Sequence, residues 1–270
     1  MDTFLEDCKV THTQMPNVAG MFYPADPAQL AEQIDQFLGE AVPYPGPAPK
    51  ALIAPHAGYV YSGPVAANAY ASLKAVADRI ERVIVLAPSH RVAFRGIATS
   101  AADEFRTPLG DIPVDTAAVQ QALALPQVGT LEQAFEGEHA LEVQLPFLQR
   151  ILGDIHLVPF IVGEAKPEEV AGLLDLLWGG EETLIVISSD LSHYHDYATA
   201  MQRDRNTSAH IQALDPDIAH DDACGRNPIR GLLLAARAHA LDVDIRDLRN
   251  SGDTAGPRDR VVGYGAYVFH

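Results

Sequence analysis

Residues 50–63 read KALIAPHAGYVYSG, and the punctuation of this stretch decides the fold. Four apolar residues, Ala51 to Ala54, stand between a lysine and Pro55. A short, unbroken apolar run is the mark of a strand buried on both faces, as in a parallel sheet covered by helices. Pro55 ends the run, His56 follows, and Ser62-Gly63-Pro64 opens a small-residue helix expected from Pro64 to Ala77. A histidine at the C-terminal end of such a strand stands where open α/β sheets bind ligands. Taken alone, His56 reads better as a capping or core histidine.

The same grammar returns twice. Arg82 to Ala87 (RVIVLA) is a β-branched strand followed by Pro88-Ser89-His90. Glu182 to Ser188 (ETLIVIS) is another, followed by Ser189-Asp190-Leu191-Ser192-His193-Tyr194-His195. Helical patterns alternate with these strands. Asp26-Pro27-Ala28-Gln29 is a helix start, with Asp26 as cap and Pro27 at the first position, and Leu30, Ile34, Phe37 and Leu38 then share one face. Further helices are expected at 116–125, 138–152 (kinked or divided at Pro146), 167–178, 199–214 and 228–240. Strands are expected at 96–100, on both sides of Pro108-Leu109-Gly110, and at 155–162, 243–248 and 261–269. The alternation predicts a single α/β domain, residues 17–270, with a central mixed, largely parallel sheet flanked by helices. Residues 1–16 read as a loosely held tail.

Composition narrows the function. The 270 residues carry 19 basic and 36 acidic side chains, a formal net charge of -17. So acidic a chain is a poor binder of nucleic acid or of anionic membranes. Its two cysteines, Cys8 and Cys224, form no disulfide framework, which suits a reducing compartment. The start, MDTFLEDCKV, has no signal-peptide pattern, and no apolar stretch nears the roughly 20 residues of a membrane span. A soluble cytoplasmic protein is expected.

Two strands that each end in Pro and then His deliver two imidazoles to one sheet edge, which favours a metal site over two capping histidines. At the third strand end, Asp190 could ligate metal or orient a histidine, and His193 could serve as a general base. Cys224 precedes a helix start at Asn227-Pro228, where a helix N-terminus would lower a thiol's pKa. A thiolate ligand, a redox thiol and a small buried residue all remain open for it. In Glu138-His139-Ala140-Leu141-Glu142, His139 and Glu142 would share a helical face. There is no Gly-x-Ser-x-Gly elbow, no P-loop and no dinucleotide fingerprint.

In this order, AGMFYP (19–24), APHAGY (54–59), PSH (88–90), FRTPLG (105–110), EHALEVQLPF (138–147), SSDLSH (188–193) and CGRNPI (224–229) resemble the Memo family, also called protein B of the AmmeMemoRadiSam system. The resemblance implies a fold similar to the catalytic subunits of class III extradiol ring-cleaving dioxygenases. It implies metal ligation by His56, His90 and Cys224, with His193 as acid/base and Asp190 as its catalytic neighbour. His139, Glu138 and Tyr59 are expected to support the ligands. The implied cofactor is Fe(II) or copper, with zinc compatible, because a thiolate in place of a carboxylate departs from the iron triad. The implied function is a metal-dependent oxidoreductase of dioxygenase-like character on an unknown small molecule or peptide. A non-catalytic metal- or partner-binding protein and a zinc-dependent hydrolase are the alternatives. A radical-SAM protein and a small partner protein are the implied associates.

Overall fold

In the computed structural model, residues 11–270 are described; Cys8 and most of the expected tail lie outside them. The strands in chain order are β1 (Thr13–Gln14), β2 (Ala51–Ala54), β3 (Arg82–Pro88), β4 (Ile97–Thr99), β5 (Glu104–Thr107), β6 (Gly110–Pro113), β7 (Val128–Thr130), β8 (His156–Val162), β9 (Thr183–Ser188), β10 (His193–His195), β11 (Val243–Asn250) and β12 (Val261–Phe269). The helices are α1 (Pro27–Glu40), α2 (Tyr59–Tyr70), α3 (Thr116–Ala122), α4 (Leu145–Leu152), α5 (Pro167–Leu177), α6 (Tyr197–Gln212) and α7 (Arg226–Ala238).

The main sheet runs β10-β12-β2-β9-β3-β8-β4-β7, with β11 on the other edge of β12. Strands β2, β9, β3 and β8 are parallel neighbours, and β12 and β4 flank them antiparallel. A mixed, largely parallel sheet follows from the apolar runs: every residue of β2 and β9 is buried. The crossover through α2 carries the chain from β2 past β9 to β3, and the one through α5 carries it back from β8 to β9. Right-handed crossovers in opposite directions put their helices on opposite faces. So α1, α2 and α4 pack together on one side, and α7 packs on β3 and β9 beside α5 on the other. Asp26 caps α1 as expected, accepting the Gln29 N–H at 2.9 Å.

Three local expectations fail for identifiable reasons. Helix α2 begins at Tyr59, not Pro64, and ends at Tyr70. Tyr59 donates its N–H to Phe22 O at 2.7 Å and buries its ring, which fixes the first turn five residues before the proline. Residues 138–141 are not helical, and α4 starts with Pro146 in its first turn. The Glu138 carboxylate takes the N–H groups of His139 and Ala140, competing with a helix there. Thr13–Gln14 pairs in parallel with Glu104–Phe105, at the edge of a small sheet completed by β6. Among the described residues no helix is long and apolar enough to cross a membrane.

Candidate metal centre

Because β2, β9 and β3 are parallel neighbours, their C-terminal ends form one shelf of the sheet. His56 leaves β2, Ser188 to Asp190 leave β9, and His90 leaves β3. The loop before α7 adds Cys224 from above. The ligand atoms of His56, His90 and Cys224 all lie within 4.8 Å of one another. His56 Nε2 is 3.3 Å from Cys224 Sγ. A tetrahedral zinc-sized ion with ordinary bond lengths separates such a nitrogen and sulfur by about 3.6 Å.

Hydrogen-bond direction fixes which imidazole nitrogen is free. Ser188 Oγ donates to Ala140 O at 2.6 Å, since a carbonyl only accepts, and it takes the Gln144 amide N–H at 2.8 Å. Toward His56 Nδ1, 2.8 Å away, the same oxygen can therefore only accept. His56 carries its proton on Nδ1 and turns the Nε2 lone pair to the centre. Burial, then the neighbouring His90 and His139, holds its pKa well below the ordinary value, so the ring stays neutral. His90 follows the same pattern, with Nδ1 donating to Glu138 Oε1 at 2.9 Å. A carboxylate or hydroxyl behind each histidine is the arrangement that orients imidazoles where they hold metals.

Glu138 holds His90 and the backbone beside it. Oε1 accepts from His90 Nδ1 and from the N–H groups of His139 and Ala140, and Oε2 accepts from His90 N at 2.6 Å. Burial by itself would raise the carboxyl, but these bonds outweigh it and hold the group down to about 2. With four donors already on its carboxylate, three of them on Oε1, Glu138 supports His90 better than it would serve as a ligand, so the neighbouring group His90, Glu138 and His139 reads as support for the first. His139 stacks on His90 at 4.9 Å and meets His56 edge-on at 5.3 Å, walling the centre.

Cys224 departs from the low-pKa thiol expected before a helix. Burial, then the Asp190 charge, pushes the thiol up, against the hydrogen bonds it receives. One of these is the Asp190 N–H, 3.2 Å from Sγ. Gly225 is required here, because a Cβ would overlap Ser189 and Ser188 O. With the His56 proton on Nδ1, the S–H can donate to His56 Nε2 at 3.3 Å or to Asp190 O at 3.6 Å, and a metal would replace that proton and stabilise the thiolate.

Asp190 is buried, and its Oδ1 accepts the His56 N–H at 2.8 Å. Its pKa is raised by burial, against the opposing charge of His193. His193 donates Nδ1–H to Leu191 O at 2.8 Å, a bond that does not engage Nε2. The next residue, Tyr194, adopts left-handed backbone, φ 62°, at the bulge between β10 and β12. Tyr59 lies in the core, with its ring on Tyr23 and Phe147 and its hydroxyl on Val143 O.

Sequence reasoning missed Ser188, Gln144 and Asn17. The only hint of Ser188 was a polar pair closing an apolar strand. Asn17 clasps the loop that carries Glu138, donating to Phe135 O and Glu138 O and accepting from Gly137 N. Glu142, expected to share a helical face with His139, instead takes the N–H groups of Asn17 and Val18 and the Tyr23 hydroxyl. This ties down the segment whose Phe22 packs on His139 at 4.8 Å.

The family model for Memo-like proteins matches residues 14–268. A MEMO1 family protein of Saccharolobus solfataricus is 33% identical over 95% of this chain and 99% of its own length. Another, from Methanopyrus kandleri, is 34% identical over 94% of this chain and 98% of its own. An uncharacterized Escherichia coli K12 protein of known structure superposes with a TM-score of 0.56 at 15% identity, covering 81% of this chain and 98% of that one, a likeness of fold alone. With motif order, centre and full-length similarity in agreement, the chain belongs to the Memo family.

Proposed function

We propose that this protein is a metal-dependent oxidoreductase of dioxygenase-like character, with copper or iron held by His56, His90 and Cys224. The observation that carries the reading is the convergence of three donor atoms within 4.8 Å, two of them imidazole nitrogens whose other nitrogen is fixed by a buried partner. Two imidazoles and one thiolate suit copper, and also iron or zinc, better than they suit hard oxygen-seeking ions. A bound metal of this kind would polarise a coordinated substrate and exchange electrons with it.

The chain's own residues supply the rest. His193 Nε2 accepts a proton from a substrate hydroxyl or thiol, and its Nδ1–H bond to Leu191 O keeps the ring in place for it. Asp190 holds the His56 backbone and, when ionised, stabilises a protonated His193. His139 and Phe22 close one side of the centre against water.

Elemental analysis of the purified protein tests the centre. About one equivalent of copper or iron is expected, falling at least tenfold in His56→Ala and Cys224→Ala; unchanged metal in both variants would overturn the assignment. Oxygen uptake with catechols and small thiols tests the chemistry. His193→Ala should keep the metal and lose turnover, whereas no uptake by fully loaded wild type would favour a binding protein.

A further inference from the structure

Beside the metal centre lies a second concavity of about 180 Å³, and Cys224 belongs to both. It sits between the loop after β3, the end of β8 and the start of α7. Its walls differ. Pro88, Val92, Phe94 and Val162 make an apolar side, and Arg226 with His220 makes a polar side.

Arg226 is held but not used up. Its Nε–H donates to His220 Nδ1 at 3.0 Å, which fixes the direction of the guanidinium. Its Nη2 is ion-paired with Glu164 at 3.6 Å, a long contact to a carboxylate that is 70% exposed. Glu164 is the only acidic residue in the lining. That pairing is long, so a ligand carboxylate that displaces the exposed Glu164 can pair bidentately with the planar fork. The chain's net negative charge does not prevent this, because salt screens distant charges beyond about 8 Å. Volume sets the size. At about 180 Å³ the cleft is smaller than the roughly 300–1,000 Å³ of drug-sized sites, which suits a small ligand.

We propose that this cleft binds small carboxylates with an apolar body, the carboxylate on Arg226 and the body on Val92, Phe94 and Val162. The substrate class of the centre then includes such acids. The inference rests on the metal-centre reading only for what lies next door, since carboxylate binding itself requires no metal.

The test is a nuclear magnetic resonance titration of the full chain, at matched metal content, with isovalerate and with its neutral isostere isovaleramide. Saturable isovalerate binding is expected, with shifts centred on the amides of residues 224–227, and isovaleramide should bind at least tenfold more weakly. Arg226→Gln should weaken isovalerate at least tenfold while its metal content stays at the wild-type level. Val92→Trp, which fills the cleft and keeps the arginine, should abolish binding. Equal binding of acid and amide, or wild-type affinity in Arg226→Gln, would overturn the proposal. Isovalerate binding should persist after the metal is removed with a chelator; its loss would overturn the proposal as stated while leaving the metal reading intact.

Discussion

Ser188 decides the protonation pattern of His56 without touching a metal position. Removing its hydroxyl frees the ring to flip or to change tautomer, and such supporting partners are typically worth 10–100-fold in metal affinity. Ser188→Ala is therefore expected to weaken metal binding by about that factor in competition with a chromophoric chelator, with little change in fold. Asp204 gives a second prediction. It is buried, accepts the Ser192 N–H at 3.0 Å, and burial lifts its pKa to about 6, against the pull of that bond and of the His193 and His195 charges. An acid with a raised folded-state pKa stabilises the fold while protonated. That contribution is whole below the unfolded value near 4 and is lost as pH rises through about 6. It amounts to at most about 3 kcal/mol, so urea unfolding from pH 4 to 6 should show a downward slope that Asp204→Asn removes. His56 and His90 were legible because each follows a proline-terminated apolar run. Ser188 and Asp204 were not, because a hydrogen-bond partner is chosen in space: Ser188 meets a histidine 132 residues away.

Helix α7 shows what an element contributes. It packs along α5, and a Cβ on Gly231 would overlap Val170. Alanine is the better helix former by about 1 kcal/mol, but overpacking a close contact costs typically 1–3 kcal/mol. Gly231→Ala should thus destabilise the protein by about 1 kcal/mol or more in urea unfolding; a gain in stability would mean the two helices separate easily. Strand assignments succeeded here because buried parallel strands announce themselves as apolar runs. The helix expected at 138–152 failed in its first part because a carboxylate that serves His90 also serves the backbone beside it, a preference that periodicity does not record. Strands β7 and β10, three residues each, are too short to carry a pattern.

At the scale of the molecule, the N-terminal segment and the centre stabilise each other. Glu142 gathers Asn17 N, Val18 N and the Tyr23 hydroxyl, at 2.6, 3.0 and 2.5 Å. Glu142→Ala leaves those donors without their acceptor, at a cost of about 2–3 kcal/mol. It should speed hydrogen exchange at Asn17 and Val18 well before global unfolding, and unchanged exchange there would contradict the clasp. The general architecture was readable in advance because alternation and strand-end histidines both follow from local composition. The clasp was not, since its partners lie about 120 residues apart. Sequence distance has one more consequence. Cys224 is 168 residues beyond His56, and β12, which covers the free side of β2, is the last strand made. A ribosome releasing this chain in order would expose the two histidines long before the thiol. The three donors can therefore meet only after Cys224 has left the ribosome, so a metal held by all three would enter after that point and not while His56 and His90 stand alone.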